Sequence, residues 1–148
     1  MAHVKETIFI NASVDRVHGL ATDPRQWETW FAGLGEAEKV EGDNGPGTVV
    51  QHAYLLAGMR FPVTTKVEEN SGSAGEAHHW KATIEGPLDG WQQWDYVPKK
   101  AGTEVTAEID YTVPGSLLGK VADRLFVEKN QERALHHTLE NLKQLAES

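Results

Sequence analysis

The stretch from Ser116 to Glu147 constrains this chain more than any other, because it reads as one long terminal helix. Leu118, Val121, Leu125, Leu135, Leu139 and Leu142 recur at the spacing that stacks side chains on one face of a helical period. Beyond Gly119 the stretch holds neither glycine nor proline. Pro114-Gly115 ends the extended segment before it, and Ser116 can supply the N-cap oxygen. At 1.5 Å per residue the helix would be roughly 45 Å long, so it must lie across something wide. Glu128 and Glu132 interrupt the apolar line between Leu125 and Leu135. Two readings follow: the stripe rotates and both carboxylates reach water, or the middle of the helix faces a wet cavity.

What such a helix can lie on is bounded by length and charge. The 148 residues suit a single domain spanning 1–148, which would bury roughly 70 % of its unfolded surface. The absence of cysteine removes disulfides, thiolate zinc sites and Cys nucleophiles, and suits a reducing cytoplasm. Met1-Ala2-His3-Val4-Lys5 lacks the apolar run of a signal peptide, and no apolar stretch approaches a membrane span. A cytoplasmic protein is expected. A net charge of -8, with 14 scattered basic residues, argues against nucleic acid as a partner.

Upstream of the helix the period changes. Val4 to Ile10 alternates as a first strand, Ser13 caps a short helix through Val17 and Leu20, and Asp23-Pro24 opens a second carrying Trp27, Trp30 and Phe31. Extended runs follow over Glu36–Glu41, Gly47–Ala57, Met59–Glu69, Glu76–Ile84, Leu88–Val97 and Thr103–Val113, divided by turn residues. Short turns between successive strands imply an antiparallel meander. Alternation puts Met59, Phe61, Val63, Thr65 and Val67 on the face toward the helix, and likewise Val105, Ala107, Ile109, Tyr111 and Val113. His78, Trp80, Ala82 and Ile84 share one face of their strand, as do Gly90, Gln92, Trp94 and Tyr96 of the next. Polar groups among aromatics suit a pocket better than a dry core.

Tyr111-Thr112-Val113-Pro114-Gly115, Leu118-Gly119-Lys120 and Leu139-Glu140-Asn141-Leu142-Lys143 resemble the C-terminal signature of the polyketide cyclase/dehydrase-like branch of the START/SRPBCC superfamily. Gly102-Thr103-Glu104-Val105-Thr106 is similar to its turn into the last strand, and Ser13 to Val17 followed by Trp27 and Trp30 to its first helices. Val14 departs from the proline common there, and no residue repeats a catalytic motif of the family. The resemblance covers nearly the whole chain. It implies the α+β helix-grip fold: a curved, seven-stranded antiparallel sheet (β-α-α-β6-α) around a long C-terminal helix, with an internal cavity. The superfamily holds lipid carriers, hormone receptors, aromatase/cyclases and chaperone co-factors, so the fold alone leaves function open.

Two kinds of function fit. A binding or transfer module would hold a small hydrophobic lipid-, polyketide- or aromatic-like molecule in the cavity, lined by Gln51, Phe61, Val63, His78, Trp80, Gln92, Trp94, Tyr96, Leu125, Glu128 and Glu132. A polyketide cyclase/aromatase-type enzyme would use the same space, with His78, Glu128, Glu132 or Tyr96 as acid/base candidates. The spacing of His52, His78, His79, His136 and His137 demands no metal, and no cofactor motif is present, so neither is expected.

Overall fold

Alternating side chains build seven strands: β1 (Ala2–Ile10), β2 (Lys39–Glu41), β3 (Val49–Leu56), β4 (Met59–Ser71), β5 (His78–Glu85), β6 (Asp89–Lys99) and β7 (Gly102–Thr112). They form one antiparallel sheet ordered β1-β7-β6-β5-β4-β3-β2. From β2 to β7 each strand pairs with its successor, as the short turns require, and β1 adds to the free side of β7. The computed structural model describes residues 2–56, 59–112 and 124–148, with side chains for all of these except Ala2, Leu56 and 124–128. Strand β2 is shorter than the sequence suggests, because before Lys39 the chain meets β3 only at single points such as the Leu34–Tyr54 bridge. Strand β4 runs further, to Ser71, through an irregularity between Val67 and Glu69.

The expected inward faces are the buried ones. Phe61, Val63, Thr65 and Val67 of β4 are buried, as are Val105, Ala107, Ile109 and Tyr111 of β7, while their neighbours in sequence are exposed or half-buried. His78, Trp80, Ala82 and Ile84 on β5 and Gln92, Trp94 and Tyr96 on β6 complete that face. One close approach needs glycine: a Cβ on Gly90 would collide with the Asp110 carbonyl and come within 2.6 Å of Tyr111 Cα, so β6 and β7 can meet here only without a side chain.

Helix α1 (Val14–Ala21) is capped by Ser13, whose Oγ accepts from Arg16 N at 3.3 Å. The second expected helix divides. Asp23 accepts from Arg25 N at 3.1 Å and Pro24 opens a 3-10 turn, Pro24–Gln26, which leads into the single turn of α2 (Trp27–Trp30). Phe31 takes extended backbone and Gly33 a φ of +82°, which ends α2 and turns residues 31–33 along the sheet.

Helix α3 (Arg124–Glu147) has 24 residues, about 36 Å of length. Its expected beginning at Ser116, with Leu118 and Val121, lies outside the described residues, as does Val113. Leu135, Leu139, Leu142 and Ala146 are buried where α3 lies over β1 beside α1 and α2. Polar bonds fix its position: Thr138 Oγ1 accepts from Ala32 N at 2.9 Å, Asn141 Nδ2 donates to Trp30 O at 3.1 Å, and Arg16 Nε donates to Ala146 O at 2.7 Å. Thr138 and Asn141 thereby hold the segment after α2 against the helix. No helix among the described residues is long and apolar enough to cross a membrane.

Candidate functional site

Where α3 crosses the end of the sheet formed by the start of β1 and the end of β7, the side chains do not close the space. The enclosed part of this cleft is small, about 50 Å³, and it opens outward through a mouth. Val4, Ile109 and Tyr111 form the sheet wall, Ile84 and Leu88 the β5–β6 side, and Tyr54 and Leu55 the end of β3. Residues 31–33 and α3, through Gln131, Ala134 and Leu135, supply the opposite wall. Most of this lining is apolar, with Tyr54, Tyr111 and Gln131 as the polar side chains among the residues described.

Behind Phe31, which borders both spaces, lies a closely packed aromatic chamber with only about 10 Å³ free, lined by Trp27, Trp30, Trp80, Gln92, Trp94 and Tyr96 among others. Its rings meet edge to face, Trp27 on Trp80 at 5.8 Å and Trp30 on Trp94 at 5.7 Å, the arrangement that the ring quadrupoles favour. Phe31 stands at 6.1 Å from Trp94 and 6.3 Å from Tyr54. One polar line crosses the chamber: Trp94 Nε1 donates to Gln92 Oε1 at 3.0 Å, and Gln92 Nε2 approaches Tyr54 Oη at 3.5 Å. His52 is buried beside it, with Nε2 at 2.6 Å from Thr65 Oγ1 and Nδ1 unpartnered among the described residues. Burial pushes its pKa down to about 4, so the ring is neutral.

The structure divides the residues expected to line one site. Trp80, Gln92, Trp94 and Tyr96 meet in the inner chamber, while Phe61 and Val63 are buried in the sheet face and do not border the cleft. Gln51 is exposed, because Val50 and His52 on either side of it point inward; it belongs to a shallow trough with Glu38, Thr64 and Glu85. His78 stands at the far end of the sheet, opposite Tyr96, stacked at 4.0 Å on His18 with its Nε2 3.4 Å from Asp15 Oδ1. Asp15 in turn accepts from Gly75 N, which lowers its pKa, and His18 Nε2 pairs with Asn70 at 2.7 Å. Burial lowers the pKa of His18. That cluster ties α1 to the β4–β5 turn and does not touch the cleft.

Glu132 is exposed, which corrects its expected place in the cavity. Three residues back from Leu135 lies about 60° round the helix in one direction, and four residues back about 40° in the other. Gln131, not Glu132, therefore turns toward the cleft. The side chains of Leu125 and Glu128 lie outside the described ones. Tyr54, Leu88, Gln131 and Ala134 were not singled out in the sequence; for Gln131 the available signal was its four-residue step to Leu135.

A seven-stranded antiparallel sheet under a C-terminal helix, with an open cleft between them, defines the helix-grip fold. The chain belongs to the family described as polyketide cyclase / dehydrase and lipid transport, whose sequence profile matches residues 1–147. Its fold is similar to that of TTHA0849 from Thermus thermophilus, with a TM-score of 0.76 at 19% identity over 96% of this chain and 94% of that one. A START superfamily protein from Mycobacterium smegmatis aligns with a TM-score of 0.75 at 15% identity, covering 99% of this chain and 98% of the other. The Zhui aromatase/cyclase from Streptomyces sp. R1128 aligns with a TM-score of 0.72 at 19% identity, over 98% and 93% of the two chains. No curated protein matches the sequence significantly.

Proposed function

We propose that this protein binds or transfers a small, largely apolar molecule held in the cleft between the sheet end and α3. The observation that carries this reading is the lining itself, in which Val4, Leu88, Ile109, Ala134 and Leu135 from separate parts of the chain surround unfilled space. Water there has few polar partners, and an apolar occupant would gain about 25 cal/mol for each Å² withdrawn from solvent.

The family description covers both cyclase/dehydrase chemistry and lipid transport. Binding is favoured because, among the described residues, the acid/base candidates do not gather at the cleft: His78 pairs with Asp15 elsewhere, Glu132 is exposed, and Tyr96 borders the inner chamber. A general acid or base has to come within hydrogen-bond reach of the reacting atoms. The test is titration with anilinonaphthalene sulfonate, followed by displacement with a panel of fatty acids, sterols and polycyclic ketones. Saturable dye binding with competitive displacement by at least one class is expected. A panel without saturable binding would refute the carrier reading.

A further inference from the structure

We propose that the stacked His18–His78 pair is a proton-operated latch: it holds α1 on the β4–β5 turn while no more than one of the two rings is charged, and lets α1 go when acid charges both. Hydrogen-bond donors fix the resting state. Asn70 Nδ2 donates to the Asn44 carbonyl at 2.9 Å, so its Oδ1 is the atom 2.7 Å from His18 Nε2, and that nitrogen carries the hydrogen. Both oxygens of Asp15 accept from Gly75 N, at 2.9 and 3.0 Å, and Oδ1 lies 3.4 Å from His78 Nε2, which is therefore a donor as well. A further proton on either ring has to enter at Nδ1, and neither Nδ1 has a hydrogen-bond partner among the described residues. On His78 that atom lies against Gly72, where a Cβ would come within 2.6 Å of it.

The rings lie 4.0 Å apart and only 16° from parallel, so two imidazolium charges would face each other directly. Among the described residues Asp15 is the one carboxylate that bears on the pair. Strand β4 contributes the neutral Asn70, and β6 the Tyr96 phenol, edge-on to His18 at 5.4 Å and kept neutral by burial. His79, Glu69 and Asp95 pair with one another on the outer face of the sheet, and Arg16 turns to Ala146 O and Ser148 O at the end of α3. One carboxylate balances one added proton, and a second proton has no counter-charge. Burial first, and the charge of His78 after it, lower the proton affinity of His18. The latched pair thus holds fewer protons than two free imidazoles, and acid favours release. Because the Ala21 carbonyl of α1 accepts from Trp27 Nε1 at 2.9 Å, release also reaches the aromatic chamber.

The experiment is hydrogen exchange of the α1 amides, followed by NMR between about pH 7.5 and pH 5 and expressed as protection factors. In the wild-type chain protection should fall about tenfold, the effect of one withheld proton over one pH unit below the ordinary imidazole value of 6.5. His18→Gln, whose amide can still donate to Asn70, should keep α1 protected across the range. Asp15→Asn still offers Gly75 an acceptor but removes the counter-charge, so the fall should begin at higher pH and be about twice as steep. Wild-type protection that does not fall, or a fall of equal size in His18→Gln, would overturn the latch. If the His18 variant leaves α1 unprotected even at neutral pH, Asp15→Asn against wild type decides: superimposable profiles overturn the proposal, and an earlier, steeper fall upholds it.

Discussion

Replacing His52 with glutamine keeps a group able to hydrogen-bond Thr65 and removes the one titration that burial suppresses most clearly. The imidazole is only 2 % exposed, enclosed by the rings of Trp27 and Tyr54 at 5.7 Å, and its proton affinity is set by desolvation. Its pKa falls from the ordinary 6.5 to about 4 in the folded chain. Below pH 6.5 the unfolded chain therefore takes up a proton that the folded chain refuses. The contribution to stability is complete above 6.5, declines as pH falls toward 4, and changes no further below that. At about 1.4 kcal/mol per pH step, the interval is worth about 3 kcal/mol. Urea denaturation of wild type and His52→Gln at a series of pH values isolates this group, because carboxylates common to both proteins cancel in the difference. The stability gap between the two should move by about 2 to 3 kcal/mol in the variant's favour between pH 7 and pH 4.5. Parallel pH profiles would mean that His52 is solvated or charge-paired and that the interior is not packed as described.

Leu139, 1 % exposed under α3, should cost roughly 2–5 kcal/mol on change to alanine, measured by the denaturant midpoint; an unchanged midpoint would mean that the helix does not dock on the sheet. Gly90→Ala forces β6 and β7 apart beside Tyr111, so it should destabilise the chain by about 1–3 kcal/mol and weaken dye binding at the cleft. Wild-type stability and affinity together would refute the close approach.

The sheet was legible because β4, β5 and β7 alternate and the turns carry glycine, proline or asparagine; β6 reads inward through Gln92, Trp94 and Tyr96 with no outside information. The long helix was legible for the same reason. A cavity under the helix was expected, but its lining was not legible, because it forms where Val4, Tyr54, Leu88, Tyr111 and Gln131 converge from distant parts of the chain, and periodicity reports which face a residue takes but not which end of the sheet it reaches. His78 shows the difference: its inward face was read correctly, yet pairing with Tyr96 places it at the end opposite the cleft. Glu132 shows a second limit. A line of three- and four-residue steps drawn through Leu125 and Leu135 admits 132 as readily as 131, and only the packed set Leu135, Thr138, Leu142 and Ala146 fixes the phase.

Anilinonaphthalene sulfonate affinity, measured side by side for wild type, Ala134→Phe and Glu132→Gln, tests the central claim most directly. Ala134 lines the cleft and Glu132 does not, so a phenyl ring at 134 should fill the space while Gln at 132 leaves it unaltered. The account predicts saturable binding at one site per chain in wild type and Glu132→Gln, and at least a tenfold loss in Ala134→Phe with the fold retained by circular dichroism. Unchanged affinity in a folded Ala134→Phe would place the ligand elsewhere and contradict it.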